Sequence, residues 1–191
     1  DDELEQSFRS YPVREYTIIE KNGLRVGVFG ILGESADHDA HFAKPVTFAN
    51  QIQTSQRIVD TLKNKEKVDM VICLSHSGTS SVRNHSEDET LARKVPQIDV
   101  IISAHTHTVL RHPIVVGKTI IVSSGCYGAY LGVLKLSFTR GNGVQPAAYD
   151  LLNVTSGIPE NREIKQAIDA CKEIVNRNFL SSCHLTFDQV I

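Results

Sequence analysis

Three histidines are candidates for chemistry because each follows a short apolar run. His105 and His107 come after IDVIISA, and His76 comes after VICLS. Residues i and i+2 of an extended chain point to the same side, with Cα atoms roughly 6.6 Å apart. Neutral imidazoles are common ligands of zinc and other divalent ions. The spacing of His105 and His107 therefore predicts two rings that face one space and bind one metal ion or two neighbouring ions.

His76 supports the same prediction from a second segment. Its neighbours in CLSHSG are small, and α/β proteins place their ligands at the carboxyl ends of buried strands. An isolated H-x-H pair is a weak motif, since surface and hydrogen-bonded core histidines are more common. A third histidine at another strand end nevertheless favours a metal site. We expect the other histidines to be solvated: His38, His41, His85, His112 and His184.

Short strands must position these histidines. Residues 70–75 form an apolar run without alternation, which is typical of a strand covered on both faces, and Val100–Ser103 is a second run of this kind. Upstream, residues 13–20 and 24–31 are rich in β-formers and flank an Asn-Gly turn, so we predict a hairpin. The following segment, ESADHDAHFAKP, is polar and is expected to be a loop.

Two helices are predicted among these strands. Over residues 49–65 the apolar positions repeat with the period of one helix face. Ser86 stands three positions before Glu89, which is the spacing of a capping box at the start of a short helix. The order strand, helix, strand, helix, strand favours a layered α/β architecture.

The second half of the chain has a different pattern. IVVGKTIIVSS contains a turn at Gly117, YLGVLKLSF alternates, and RGNG precedes a further strand candidate, so we predict antiparallel sheet here. A helix is predicted over residues 160–180, and HLTFDQVI at the end of the chain is strand-like. The apolar stripe of this helix consists of Ile164, Ile168, Cys171 and Val175.

Length and composition restrict the classes of function. The chain has 191 residues, of which 41% are hydrophobic and 22% charged, and this suits one ordinary globular domain. A formal net charge of −2 without a block of Lys or Arg argues against a nucleic-acid polymer or an anionic membrane as a partner. The sequence contains no apolar run of the roughly 20 residues that a membrane segment needs. Its first residues also lack the basic and apolar parts of a signal peptide.

The four cysteines form no C-x-x-C pair. We expect Cys73, Cys126, Cys171 and Cys183 to be small buried hydrophobic residues. A bridge between Cys171 and Cys183 is the alternative, so the redox compartment stays open.

Three motifs occur in the order and spacing of a known family. VICLSHSG is followed by ETLARKVPQIDVIISAHTHT and then by IIVSSGCYGAYLGVLKL. Together they resemble the later half of the catalytic domain of calcineurin-like metallophosphoesterases, specifically the 5′-nucleotidase branch. LRVGVFGILG is similar to the family strand that precedes these motifs. The resemblance covers roughly residues 11–152, and its specificity lies in the combination of motifs.

The resemblance implies a four-layer α/β/β/α sandwich that binds two divalent metal ions, either Zn, Mn or Fe. It implies that His76 and His105 bind one ion and that His107 binds the other. Ala104 stands where the family usually has Gly. In this interpretation, residues 1–158 are the C-terminal half of the catalytic domain. Residues 159–191 are a connecting helix and the start of a following domain.

Two motifs of the family are missing, and this changes the expected activity. The sequence contains neither the G-D that carries the bridging aspartate nor the G-N-H-[DE] that carries an asparagine ligand and a catalytic histidine. Without a bridging carboxylate, two dipositive ions repel strongly. We therefore expect the catalytic residues to lie in a missing N-terminal half. The fragment alone should be inactive, bind one metal ion or none, and oligomerise or pair with that half through open sheet edges.

The intact protein is then expected to hydrolyse phosphate esters, in particular nucleotides to nucleosides and phosphate. The resemblance also suggests an extracytoplasmic or cell-surface location. A non-catalytic metal-binding or interaction module is the alternative function.

Other hydrolase classes are disfavoured. Val109 stands where the zinc motif H-x-H-x-D-H needs Asp, and G-x-S-x-G is absent. Cys126 lies between Gly125 and Tyr127 at a strand end, where a structural role is expected rather than that of a thiol nucleophile.

Overall fold

The computed structural model describes residues 11–44, 46–82, 85–139 and 143–189. The chain folds as two compact units, Asp1–Asn153 and Val154–Ile191. The predicted RGNG turn lies mostly outside the described residues, because 140–142 are not among them. The functional division proposed at residue 158 stays a prediction.

The first unit is built around a six-stranded sheet with the order β1-β2-β3-β4-β6-β5. The four central strands run parallel, whereas β1 and β5 are antiparallel edges. The layered α/β prediction is therefore confirmed. The strands of this sheet are β1 Tyr16–Lys21, β2 Leu24–Leu32, β3 Met70–His76, β4 Val100–Ser103, β5 Ile114–Val116 and β6 Thr119–Val122.

The predicted hairpin at the start of the sheet is confirmed. Strands β1 and β2 pair antiparallel, with Lys21 opposite Leu24. The two residues between them have positive φ, 51° at Asn22 and 76° at Gly23. Two such residues form the type I′ turn that matches the twist of a hairpin, and Asn and Gly tolerate this backbone best.

Helices cover one face of the sheet. Helix α2, Gln51–Asp60, begins at Asn50, whose side chain accepts hydrogen bonds from the N–H groups of Ile52 and Gln53. It continues as a π-helical turn, Thr61–Lys65. Helix α3, Glu87–Lys94, begins at Ser86, whose hydroxyl accepts the N–H of Glu89 as the sequence predicts.

A short helix in the polar segment after β2 contradicts the loop prediction. Helix α1 spans Glu34–Asp39. The backbone N–H of Glu34 donates to Glu87 Oε2 at 2.8 Å, a contact from another part of the chain. Six residues give too short a periodic pattern for the sequence to show, and the contact that holds the first turn is not local.

The main core lies between the sheet and helices α2 and α3. Val71, Cys73, Ile101 and Ile121 are fully buried on the helix-facing side of the sheet. They pack in one cluster with apolar residues of the two helices and the π-helical turn, namely Ile58, Val59, Leu62, Leu91 and Ala92.

The opposite face of the sheet is only partly covered. Strands β7, Tyr130–Thr139, and β8, Gly143–Asn153, form an antiparallel hairpin that packs on part of this face. Between hairpin and sheet lies an apolar cavity of about 360 Å³. Leu74 and Ile102 are paired neighbours on β3 and β4, and they stay 48% and 45% exposed.

These facts correct two strand predictions. β3 is not covered on both faces, since its burial alternates along the strand. The predicted antiparallel half is only partly antiparallel, because β6 joins the main sheet parallel to β4. Apolar runs alone cannot distinguish a strand buried twice from one whose second face is half open.

The second unit contains helix α4, Arg162–Asn178, as predicted. Its apolar stripe stays largely exposed and, together with Phe187, lines a shallow apolar groove. Residues 184–189 form turns rather than the predicted strand. All four cysteines are free, and only Cys73 is buried, so neither the bridge nor general burial of the cysteines is correct.

Among the described residues, no helix is long and apolar enough to cross a membrane.

We predict that Leu62→Ala lowers the free energy of unfolding by about 2–5 kcal/mol, because Leu62 is fully buried in the main core. Ile19→Ala on β1 is the control, since Ile19 is 51% exposed and its loss should stay below about 1 kcal/mol. Chemical denaturation of both variants measures the difference. Equal losses would contradict the assignment of Leu62 to the core.

Candidate functional site

The carboxyl ends of β2, β3 and β4 meet at one edge of the sheet. His76 ends β3 opposite Leu32, the last residue of β2. Its carbonyl accepts the N–H of Gly33 at 3.1 Å. The N–H of Ala104, which follows β4, donates to Ser75 O at 2.9 Å. The parallel strands therefore deliver the segments that carry His76 and His105 to neighbouring positions.

Two of the three predicted histidines are in contact. The rings of His76 and His105 have centroids 4.9 Å apart and are tilted by 57°. The side chain of His105 is 19% exposed, and its Nε2 lies 3.8 Å from Asp39 Oδ2. Two imidazoles and a carboxylate thus approach one another at this edge.

His107 makes a different contact. Its ring packs edge-on against Tyr127, with centroids 5.4 Å apart. Tyr127 belongs to the loop that follows β6. The structure thus gives His107 an aromatic neighbour from a third segment.

The backbone of both histidines differs from the predicted extended one. β4 ends at Ser103, and φ is 76° at His105 and 55° at His107. Tyr127 is also left-handed, with φ 56°. Positive φ is uncommon for residues other than Gly, and such strain accumulates at functional sites. The rings are therefore oriented by a twisted loop and not by strand alternation.

Threonines join this loop to the loop that follows β3. The N–H of Thr79 donates to Thr106 Oγ1 at 3.2 Å. Thr106 Oγ1 lies 3.0 Å from Thr108 Oγ1, and the Thr108 hydroxyl donates to Thr79 O at 3.4 Å. Gly78 has φ 94°, and a Cβ built there would lie 2.3 Å from Thr106 Cγ2. Only glycine permits this close approach.

The other side of the loop is joined to the segment after β6. The hydroxyl of Ser123 and the N–H of Gly125 both donate to Thr108 O, at 2.6 and 3.1 Å. Tyr149 of β8 donates its hydroxyl to Ser123 O at 3.1 Å. Burial raises the pKa of Tyr149, so the phenol stays protonated and keeps this bond. The loop that carries His105 and His107 is thus held from both sides.

A series of polar side chains lies beneath His76. Ser75 Oγ is 2.9 Å from Ser77 Oγ and 2.5 Å from Asp88 Oδ1. The Ser77 hydroxyl donates to Gln51 Oε1 at 3.0 Å, and Gln51 Nε2 donates to Glu87 Oε2 at 2.9 Å. Asp88 is fully buried. Burial raises the pKa of its carboxyl, and the hydroxyls of Ser103 and Ser75 oppose this shift.

An open polar cleft lies beside His105. Its volume is about 840 Å³, and neutral hydroxyl and amide side chains form much of its lining. Such a surface suits a polar ligand. The neutral lining residues include Asn50, Gln51, Ser77, Thr79, Thr106 and Thr108.

Within the ranges that the structure describes, no group of three His, Cys, Asp or Glu side chains could hold a metal ion. The assignment of His76, His105 and His107 as metal ligands therefore stays a prediction. The five other histidines are exposed, as predicted. No sequence pattern pointed to Asp88, because it lies in a polar run and reaches its buried place only through tertiary contacts.

Comparison with known proteins agrees with the residue pattern. A family model described as calcineurin-like phosphoesterase matches residues 3–109. The chain is 32% identical over 165 residues to the trifunctional nucleotide phosphoesterase protein YfkN of Bacillus subtilis (strain 168), covering 84% of this chain and 11% of that protein. It is 30% identical over 164 residues to the 5′-nucleotidase of Homo sapiens, covering 74% of this chain and 27% of that protein.

The fold also has a counterpart among solved structures. The 5′-nucleotidase precursor from Thermus thermophilus superposes with a TM-score of 0.70 at 24% identity, over 85% of this chain and 34% of that chain. At this identity the likeness shows the fold alone. The chain spans only 11% of the length of the B. subtilis protein and 27% of the length of the human 5′-nucleotidase.

We predict that Gly78→Ala destabilises the chain more than Gly117→Ala does. Both glycines have positive φ, but a Cβ at Gly117 meets nothing within 4 Å. Gly117→Ala should therefore cost about 1–2 kcal/mol from backbone strain alone. Gly78→Ala should cost about 1–3 kcal/mol more from the clash with Thr106. Chemical denaturation of the two variants measures the difference, and equal losses would show that the two loops are not in close contact.

Proposed function

Because the chain belongs to the calcineurin-like phosphoesterase family, we propose that the whole protein is a metal-dependent phosphoester hydrolase that cleaves nucleotides to nucleosides and phosphate. The contact between the rings of His76 and His105 carries this proposal. It joins two segments of the family pattern at the edge of the sheet where α/β proteins bind ligands.

The proposed cofactors are two divalent metal ions, with Zn, Mn or Fe as candidates. We assign His76 and His105 to one ion and His107 to the other. Such ions, when bound, neutralise phosphoryl charge and make water a better nucleophile at neutral pH. The remaining ligands, including a bridging carboxylate, are proposed to come from outside this chain, since the described residues hold no complete ligand group.

The proposed substrate class follows the printed names of the relatives. They include a nucleotide phosphoesterase and 5′-nucleotidases. The polar cleft beside His105 supports a polar ligand at this edge. The extracytoplasmic or cell-surface location suggested by the family resemblance belongs to the same proposal.

We also propose that the half-open face of the sheet is covered by further polypeptide of the same catalytic domain. Leu74 and Ile102 are about half exposed there, beside the apolar cavity under the hairpin. The length of the relatives supports this occupant. Self-association through the edge strands β1 and β5 is the alternative when that polypeptide is absent.

One observation favours a second candidate, a non-catalytic metal-binding or interaction module. Among the described residues, no group of three His, Cys, Asp or Glu side chains that could hold a metal ion is assembled. Metal binding and phosphate release by the whole protein distinguish the two candidates, because a module of this class would release no phosphate.

We predict that His105→Ala lowers the affinity of the whole protein for zinc or manganese at least about 100-fold, since even the partners of a metal ligand contribute 10- to 100-fold. His112→Ala is the matched control, because His112 is an exposed histidine farther along the same connection between β4 and β5. Elemental analysis after equilibrium dialysis measures the bound metal. Equal metal content in both variants would show that His105 is not a metal ligand.

We predict that residues 1–191 alone release no phosphate from a nucleoside monophosphate in the presence of zinc or manganese, whereas the whole protein does. The reason is that the chain lacks the bridging carboxylate motif. The whole protein with His76→Ala is the control for metal-dependent turnover. Phosphate release by the isolated chain at the rate of the whole protein would overturn the proposed division of the site.

A further inference from the structure

The polar side chains beneath His76 form a chain of hydrogen bonds, and the positions of the hydrogen atoms determine which group donates at each contact. We propose that Asp88 is a neutral carboxylic acid that donates the first hydrogen bond of a one-way chain through Ser75, Ser77 and Gln51 to Glu87. In this arrangement Asp88 is a positioning residue for the end of β3, which carries His76. The proposal does not depend on the phosphoesterase function.

Glu87, at one end of the chain of hydrogen bonds, determines which groups donate and which accept. Glu87 Oε2 accepts the backbone N–H of Glu34 at 2.8 Å and lies 2.9 Å from the Gln51 amide. A carboxylate only accepts hydrogen bonds, so the amide must present its N–H₂ to Glu87. The opposite orientation would bring two acceptor oxygens together. Gln51 Oε1 therefore faces Ser77 and accepts from it.

Counting hydrogens along the series then identifies the remaining donor. The Ser77 hydroxyl has one hydrogen, and it goes to Gln51 Oε1. Ser75 must then donate its single hydrogen across the 2.9 Å contact to Ser77. The 2.5 Å contact between Ser75 Oγ and Asp88 Oδ1 is left without a hydrogen unless the carboxyl supplies one. Two bare acceptors at this distance would repel, whereas a carboxylic acid O–H donor fits it.

The surroundings of Asp88 favour the same protonation state. The side chain is fully buried, and burial disfavours an unpaired charge. The titratable groups that act on it are Glu87 of the same helix and Cys73 of β3, and neither is a cation. The Ser103 hydroxyl, the Gly78 backbone and the start of helix α3 at Ser86 favour an ionised group, but none of them supplies a hydrogen to the contact with Ser75.

The chain of hydrogen bonds fixes the backbone on both sides of His76. Ser75 and Ser77 flank His76 in sequence, and both are buried. Their partners come from helix α3 at Asp88 and from helix α2 at Gln51. Asp88 therefore acts on the histidine through its two neighbours and without touching its ring.

Three variants of the full chain test this assignment. Asp88→Asn keeps a donor at the same place and has no proton to lose, so its unfolding equilibrium constant at neutral pH should be no higher than that of the parent. Asp88→Ala removes the donor and should raise that constant more than tenfold. Asp99→Asn is the matched control, because the Asp99 carboxylate accepts from Val71 N–H and Lys63 Nζ at 2.7 and 3.2 Å. It should lose more stability than Asp88→Asn, and the reverse order would overturn the proposal.

A spectroscopic signature separates this role from an ordinary structural one. At one pH unit above the ordinary aspartate pKa, which is roughly 3.9, the carboxyl ¹³C chemical shift of Asp88 should be that of a protonated acid. A raised folded pKa stabilises the fold fully below that ordinary value, and the stabilisation is lost as pH rises through the folded pKa. Between the ordinary aspartate pKa and the raised folded pKa, the unfolding constant of the parent should rise by up to tenfold per pH unit relative to that of Asp88→Asn. An ionised Asp88 at the lower end of that window, or a neutral Glu87 beside an ionised Asp88, would disprove the assignment.

Discussion

The parallel pairing of β3 with β4 is the interaction on which the candidate site depends. Ser75 lies opposite Ser103, and the N–H of Ala104 continues the ladder to Ser75 O. Because both strands run in the same direction and end at the same level, the residues that follow them leave the sheet side by side. A slip of one residue would move every side chain of the strand to the opposite face. The crossover helix α3 makes this pairing possible, so the cap at Ser86 and the core around Leu91 contribute to the geometry of residues that they do not touch.

The two faces of the sheet meet different requirements. The helix-covered face is closed by a continuous apolar cluster within the described chain. The other face carries the β7 and β8 hairpin on part of its area and leaves a cavity beside Leu74 and Ile102. The buried face fixes the strands, whereas the half-open face is the one that the proposed further polypeptide would cover. This asymmetry also explains why β3 alternates in burial although residues 70–74 are all apolar.

Local signals in the sequence were sufficient where neighbouring residues decide the structure. The turn at Asn22 and Gly23 and the cap at Ser86 belong to this class, and so does the α/β order of the elements. Contacts between distant segments decided the rest. The left-handed backbone of His105 results from loops joined by threonine hydrogen bonds, and no pattern within H-x-H reveals it. Asp88 sits in SEDET, which has the composition of an exposed first turn, and only the fold shows that this carboxyl points into the interior.

The left-handed backbone at positions 105 and 107 limits what evolution can place there. Apart from glycine, the residues that tolerate this conformation best are Asn, Asp and His. Asn and Asp provide oxygen ligands, and His provides nitrogen. The loop thus favours Gly, Asn, Asp and His at these two positions, and all of them except Gly have a side chain that can coordinate an ion. Under the proposed assignment of these positions as metal ligands, a substitution of His by Asn or Asp would replace a nitrogen donor with an oxygen donor, and so favour a harder ion, without rebuilding the surrounding loops.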